Sequence, residues 1–184
     1  MAATDRPALS RRQFFRTLLG RGAPSADSAD RTPTADPHAA GNAAYAAGDF
    51  PAAVVAYRAS VRQDLANTAL RTRLGQALYA TGQYIQARVE FEHVLRLTDG
   101  AAGPARLGLA LTLLRLGRTA RAGQLLAAFA DTARPALTAL AQTTAAAVAD
   151  GAPADLADRI RALEEHARAS RLFSLHAAAV SPAP

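Results

Sequence analysis

The chain has no cysteine among its 184 residues. Disulfides, thiolate metal sites and cysteine nucleophiles are therefore excluded. Lysine is absent as well, since all 21 basic residues are arginine. Without lysine there is neither a Walker-type phosphate loop nor Schiff-base chemistry. Tryptophan is missing, and aromatics make up only 5% of the chain. Long hydrophobic runs are missing too. The longest charge-free stretch runs from Pro135 to Ala149. A membrane-spanning helix takes about 20 apolar residues, so this stretch is too short.

What is present is alanine. Half of the chain is apolar, and alanine dominates that half. Such a composition suits helices that pack closely through small side chains, so the expected fold class is all-α. The formal charge is +6 and is unevenly placed, with ten arginines against five acids in residues 41–130. No run of arginines interleaved with stacking aromatics accompanies it. Nucleic acid is accordingly not expected as a partner.

Three stretches resemble one another: AYAAGDFPAAVVAY, LYATGQYIQARVEF and LLRLGRTARAGQLL. Their glycines, Gly48, Gly82 and Gly117, are spaced by 34 and 35 residues. An alanine follows each glycine five residues on: Ala53, Ala87 and Ala122. Four residues later comes a larger apolar side chain: Tyr57, Phe91 and Leu126. The glycines suit the left-handed conformation that ends a helix. Gly41, Gly75 and Ala110, with the three alanines, let paired helices approach. The larger side chains then fill the seams.

This pattern resembles the tetratricopeptide repeat, a helix–turn–helix unit of about 34 residues. The early tryptophan of that family is replaced by Pro37, Arg71 and Arg106, and its closing proline by Leu65 and Asp99. The resemblance implies a right-handed α-solenoid of about three units over residues 37–135. A helical cap or degenerate fourth repeat is expected over 136–176, and a disordered tail over 177–184. A seventh helix fits Pro135 to Ala149. An eighth is expected to open at Pro153 with Leu156, Ile160, Leu163 and Ala167 turned inward. Asp155, Asp158, Arg161, Glu164, Glu165 and Arg168 are expected on its solvent side, with Glu164 and Arg168 paired at i,i+4.

Repeats of this family line a concave groove with their first helices, where a peptide or a helix lies. Projected onto this chain, the resemblance implies a groove of Asn42, Tyr45, Thr72, Arg73, Gln76, Tyr79 and Arg115. Leu107, Leu111 and Leu114 continue it and are expected beneath the C-terminal helices. Tyrosine offers large contact area at small entropy cost, and Asn42 and Gln76 suit bonding to a ligand backbone. The expected partner is a protein or peptide, and the expected role is a non-catalytic adaptor.

Catalytic signals are lacking. His38, His93, His166 and His176 show no metal-ligand spacing, and there is no nucleophile elbow or glycine-rich phosphate loop. No catalytic residue, metal or cofactor is expected.

Ahead of the repeats lies an arm, residues 1–19, followed by an Ala/Ser/Asp/Pro-rich linker over 20–36 that reads as flexible. The arm contains SRRQFFR, which resembles the twin-arginine export motif through Ser10, Arg11, Arg12 and Phe14. Phe15 and Arg16 stand where that motif has leucine and lysine. The hydrophobic region an export signal needs is missing, because Arg16 interrupts the run and Arg21 closes it. The expectation is a cytoplasmic protein that can be peripheral to a membrane. Arg11, Arg12, Phe14, Phe15 and Arg16 then contact a membrane surface or export machinery. Periplasmic export by the twin-arginine route is the alternative location. The alternative role is an assembly chaperone for exported or redox enzymes.

Overall fold

Glycines end several of the helices, and capping side chains or prolines start four of them. A computed structural model describes residues 37–151 and 153–173, which hold eight helices and no strand. These are α1 (Pro37–Ala46), α2 (Phe50–Gln63), α3 (Thr68–Ala80), α4 (Tyr84–Leu97), α5 (Gly103–Arg115), α6 (Thr119–Ala127), α7 (Pro135–Ala149) and α8 (Leu156–Ala169). All lie in one compact unit of the chain. The arm with Arg11, Arg12, Phe14, Phe15 and Arg16, the linker and the C-terminal tail lie outside the described residues. No described helix is long and apolar enough to cross a membrane.

One turn recurs three times. Gly48, Gly82 and Gly117 have φ of 78°, 75° and 70°. Each glycine donates its N–H to the carbonyl three residues back, at 3.0–3.1 Å: Tyr45, Tyr79 and Leu114. The residue after each glycine donates five residues back, Asp49 to Ala44, Gln83 to Leu78 and Arg118 to Leu113, at 2.8–2.9 Å. This pair of bonds is the Schellman helix stop, which satisfies carbonyls that a helix end leaves unpaired. Starts are fixed by Asp49 and Asn67, whose side chains each accept at 3.0 Å from the backbone of Ala52 and Leu70. Pro51, Pro104 and Pro135 occupy first turns, where a missing N–H costs nothing.

Each helix packs on the next in sequence, and α3 also packs on α5. The close approaches run through glycine. A Cβ at Gly41 would lie 2.6 Å from the Tyr57 ring, and one at Gly75 would lie 2.7 Å from Phe91. Gly108 is pressed against the same Phe91 ring, so one buried ring of α4 meets glycines of both α3 and α5. Burial of such a ring contributes about 2–3 kcal/mol. Ala53, Ala87, Ala110, Ala122 and Leu126 are fully buried, as the pattern requires.

Arg71 and Arg106 form a second recurring device. Arg71 donates from Nε to the carbonyl of Leu65 at 2.8 Å and from Nη1 to Glu90 at 2.7 Å. Arg106, 35 residues on, bonds the carbonyls of Gly100 and of Ala128. Both arginines thus reach six residues back and across to a following helix or its end.

The C-terminal helices depart from expectation in two ways. First, α8 begins at Leu156 and not at Pro153, because Leu156 N–H closes a turn onto the Pro153 carbonyl at 3.1 Å. Second, α8 packs on α5 as well as α7, and Glu164 turns inward, its side chain only 13% exposed. The expected i,i+4 pairing of Glu164 with Arg168 is present, at 3.7 Å.

Candidate functional site

Two aromatic pairs straddle two of the three helix stops. Tyr45 meets Phe50 edge-on, with ring centroids 5.1 Å apart at 71°. Tyr79 meets Tyr84 at 5.3 Å and 59°, 34 residues on. Each pair brackets its turn glycine, three residues before and two after. The third stop carries Leu114 and Thr119 instead, so the aromatic surface ends there.

These pairs open on a cavity of about 320 Å³. Tyr45, Phe50, Tyr79, Tyr84, Phe91 and Phe173 line it. The chain has four tyrosines and six phenylalanines, so more than half of a scarce resource is spent on one hollow. Leu111 and Gly108 form part of the floor, and Gln76, Arg115, Glu164 and Arg168 supply its polar groups. An apolar hollow with a few convergent polar groups is the usual form of a binding pocket.

One polar cluster closes the wall. The Tyr79 hydroxyl donates to Glu164, and Arg115 donates to the same carboxylate oxygen at 2.7 Å and to the Tyr79 oxygen at 3.3 Å. Burial, then the bond to Glu164, pushes the Tyr79 hydroxyl well above the usual tyrosine range. The bonds to Tyr79 and then to Glu164 hold the Arg115 guanidinium still more firmly charged. Tyr45 is pushed up to about 12 by burial, against a smaller opposing pull from Arg168 and Arg73.

The seven groove residues separate into two groups. Tyr45, Gln76, Tyr79 and Arg115 meet at this cavity. Thr72 and Arg73 line a smaller hollow of about 260 Å³, together with Gln76 and Leu172. The Thr72 hydroxyl is spent on its own helix, donating to the Thr68 carbonyl at 2.7 Å. Asn42 accepts from Tyr57 at 2.9 Å and from Arg73 at 2.6 Å, so its carbonyl braces α1, α2 and α3. Leu107, Leu111 and Leu114 are buried.

Phe50, Tyr84, Phe91, Glu164, Arg168 and Phe173 were not read from the sequence as site residues. Phe50 and Tyr84 carried a usable signal, since both stand two residues after a turn glycine. Glu164 carried none, because its partners lie 49 and 85 residues away. No group of three His, Cys, Asp or Glu side chains among the described residues is placed to hold a metal ion. No protein-family model matches the chain, and no curated protein matches it.

Proposed function

We propose that the chain is a non-catalytic adaptor of tetratricopeptide type, about three units long, that binds a peptide in the groove of its first helices. The recurrence of one helix stop at 34 and 35 residues, with a ring wedged on glycine in the first two units, supports the repeat reading. The observation that carries the groove reading is the convergence of Tyr45, Gln76, Tyr79 and Arg115 on one aromatic cavity. Glu164, Arg168 and Phe173 wall that cavity from the C-terminal side. It therefore seats one aromatic or apolar side chain of an extended peptide, with Gln76 beside the peptide backbone. The arm provides a second contact, with a membrane surface or with export machinery.

Short peptides selected by phage display on the full chain test this. Their binding is expected to fall at least about tenfold when Tyr45, Gln76 and Tyr79 are all replaced by alanine, with helicity retained by circular dichroism. Undiminished binding by the folded triple variant overturns the groove assignment.

A further inference from the structure

A second groove lies on the far side of α5. Leu111 faces the aromatic cavity, whereas Leu109 and Leu113, each two residues away along the helix, face this groove. Two helical residues turn about 200°, so the two surfaces are back to back. The groove lies where α4 and α6 each rest on α5 without packing broadly on each other. Its volume is about 520 Å³.

The floor is leucine: Leu95 from α4, Leu109 and Leu113 from α5, and Leu125 from α6. The rim is arginine: Arg88 and Arg96 from α4, Arg118 from the helix stop, and Arg121 from α6. Glu92 is the single acid lining it, and it lies 3.5 Å from Arg88. Four guanidiniums therefore face one carboxylate. Arg96 contacts the His93 ring at 3.3 Å and Arg121 donates to Gln124 at 2.9 Å, so neither of these contacts is to a carboxylate. Four of the ten arginines of residues 41–130 are thus gathered at one place by the fold, although they are scattered in sequence.

The apolar surface continues beyond the groove. Ile85 and Val89, 67% and 49% exposed, precede Glu92 and Arg96 on one stripe of α4. Their spacing, i, i+4, i+7 and i+11, keeps all four on the same helical face. Two large apolar side chains left in water beside a leucine-floored channel lengthen the surface available to a partner.

We propose that this outer groove docks an acidic amphipathic helix of a partner protein. Its apolar row would lie on the leucines and extend over Val89 and Ile85, and its flanking carboxylates would meet the arginine rim. The charge pattern selects this occupant, because bidentate guanidinium–carboxylate pairs form at the rim while the floor excludes water. A flat membrane surface would reach the rim but not the floor. Nucleic acid would find no aromatic ring to stack on among the lining residues.

The test uses the full chain and a fluorescein-labelled peptide of alanine, leucine and glutamate. The peptide has about 18 residues, or about five helical turns, with leucines at i, i+3 and i+4 spacing and glutamates flanking them. A matched peptide carries lysine in place of glutamate. Anisotropy is expected to show binding of the acidic peptide alone, weakening as salt is raised. The Arg118→Glu/Arg121→Glu variant should lose at least about tenfold in affinity, and Val89→Ser about threefold. Arg62→Glu, which reverses an exposed charge on α2 outside both grooves, should bind as the parent does. Arg118→Gln gives the same comparison if the charge-reversed variant fails to fold. Equal binding of the two peptides overturns the proposal, as does undiminished binding by the folded charge variants. Retention on phosphatidylglycerol vesicles without peptide binding overturns it as well.

Discussion

Phe91 presses its ring against Gly108, so that a Cβ at that glycine would lie 2.5 Å from the ring Cζ. Two effects oppose each other in Gly108→Ala. Alanine favours the helix by about 1 kcal/mol, while overpacking costs about 1–3 kcal/mol. Phe91 is fully buried and also held by Gly75, so the ring cannot yield and overpacking should win. Urea unfolding is expected to show a net loss of about 1–2 kcal/mol for Gly108→Ala. Adding Phe91→Leu should recover part of the alanine penalty, which a double-mutant cycle reads as non-additivity. Strict additivity would show that ring and glycine do not share a constraint.

This wedge also shows what the sequence made legible. The helix stops at Gly48, Gly82 and Gly117 and the buried positions Tyr57, Phe91 and Leu126 followed from spacing alone, because local backbone chemistry and small-to-large packing repeat with the chain. Gly108 did not follow, because Ala110 holds the position that matches Gly75 by spacing. The pressure on Gly108 comes from the preceding pair of helices. Four of the seven groove residues share a cavity for the same local reason that made the tyrosines noticeable. Asn42 and Arg73 bond each other instead, 31 residues apart. Glu164 was placed in solvent by helical periodicity, which describes a helix face but not what folds against it.

The Tyr79–Glu164–Arg115 cluster ties α8 to α3 and α5, so loosening it should free the C-terminal helix first. Glu164 is mostly buried, whereas the Arg115 side chain is 37% exposed. Removing the arginine therefore leaves the carboxylate with fewer partners in a sheltered place. Arg115→Ala is expected to cost about 1 kcal/mol, after allowance for solvent screening. Hydrogen exchange should accelerate in α8 more than in α3 or α4. Uniform acceleration across all helices would mean that the cluster is not a local tether.

Arg71 and Glu90 are a sheltered ion pair, with side chains 11% and 18% exposed. Arg71→Met strips Glu90 of its charge partner and the Leu65 carbonyl of its donor, so a loss of about 2–4 kcal/mol is expected. Glu90→Gln keeps a hydrogen-bonding group and should cost about 1 kcal/mol. Arg71→Met combined with Glu90→Leu should be more stable than Arg71→Met alone, since no unpaired carboxylate remains. Denaturant midpoints of the three variants decide this, and a double variant less stable than Arg71→Met would contradict it.

Buried tyrosines make the fold sensitive to alkali. Burial lifts the Tyr45 and Tyr57 hydroxyls to about 12 from an ordinary 10.0, opposed in both by the Arg73 charge. In the unfolded chain both protons leave near pH 10, and in the folded chain near pH 12. Between those values the unfolded state binds fewer protons, so stability falls as pH rises. Below pH 10 the contribution is fully present. Urea midpoints should therefore hold level up to about pH 10 and then decline toward pH 12, by at most about 1.4 kcal/mol per pH unit for each tyrosine. Tyr45→Phe removes one of the titrating groups and should make the decline shallower. Tyrosinate absorbance followed on the folded chain gives the independent check. Ionisation of every tyrosine near pH 10, with helicity intact, would contradict the burial of both hydroxyls.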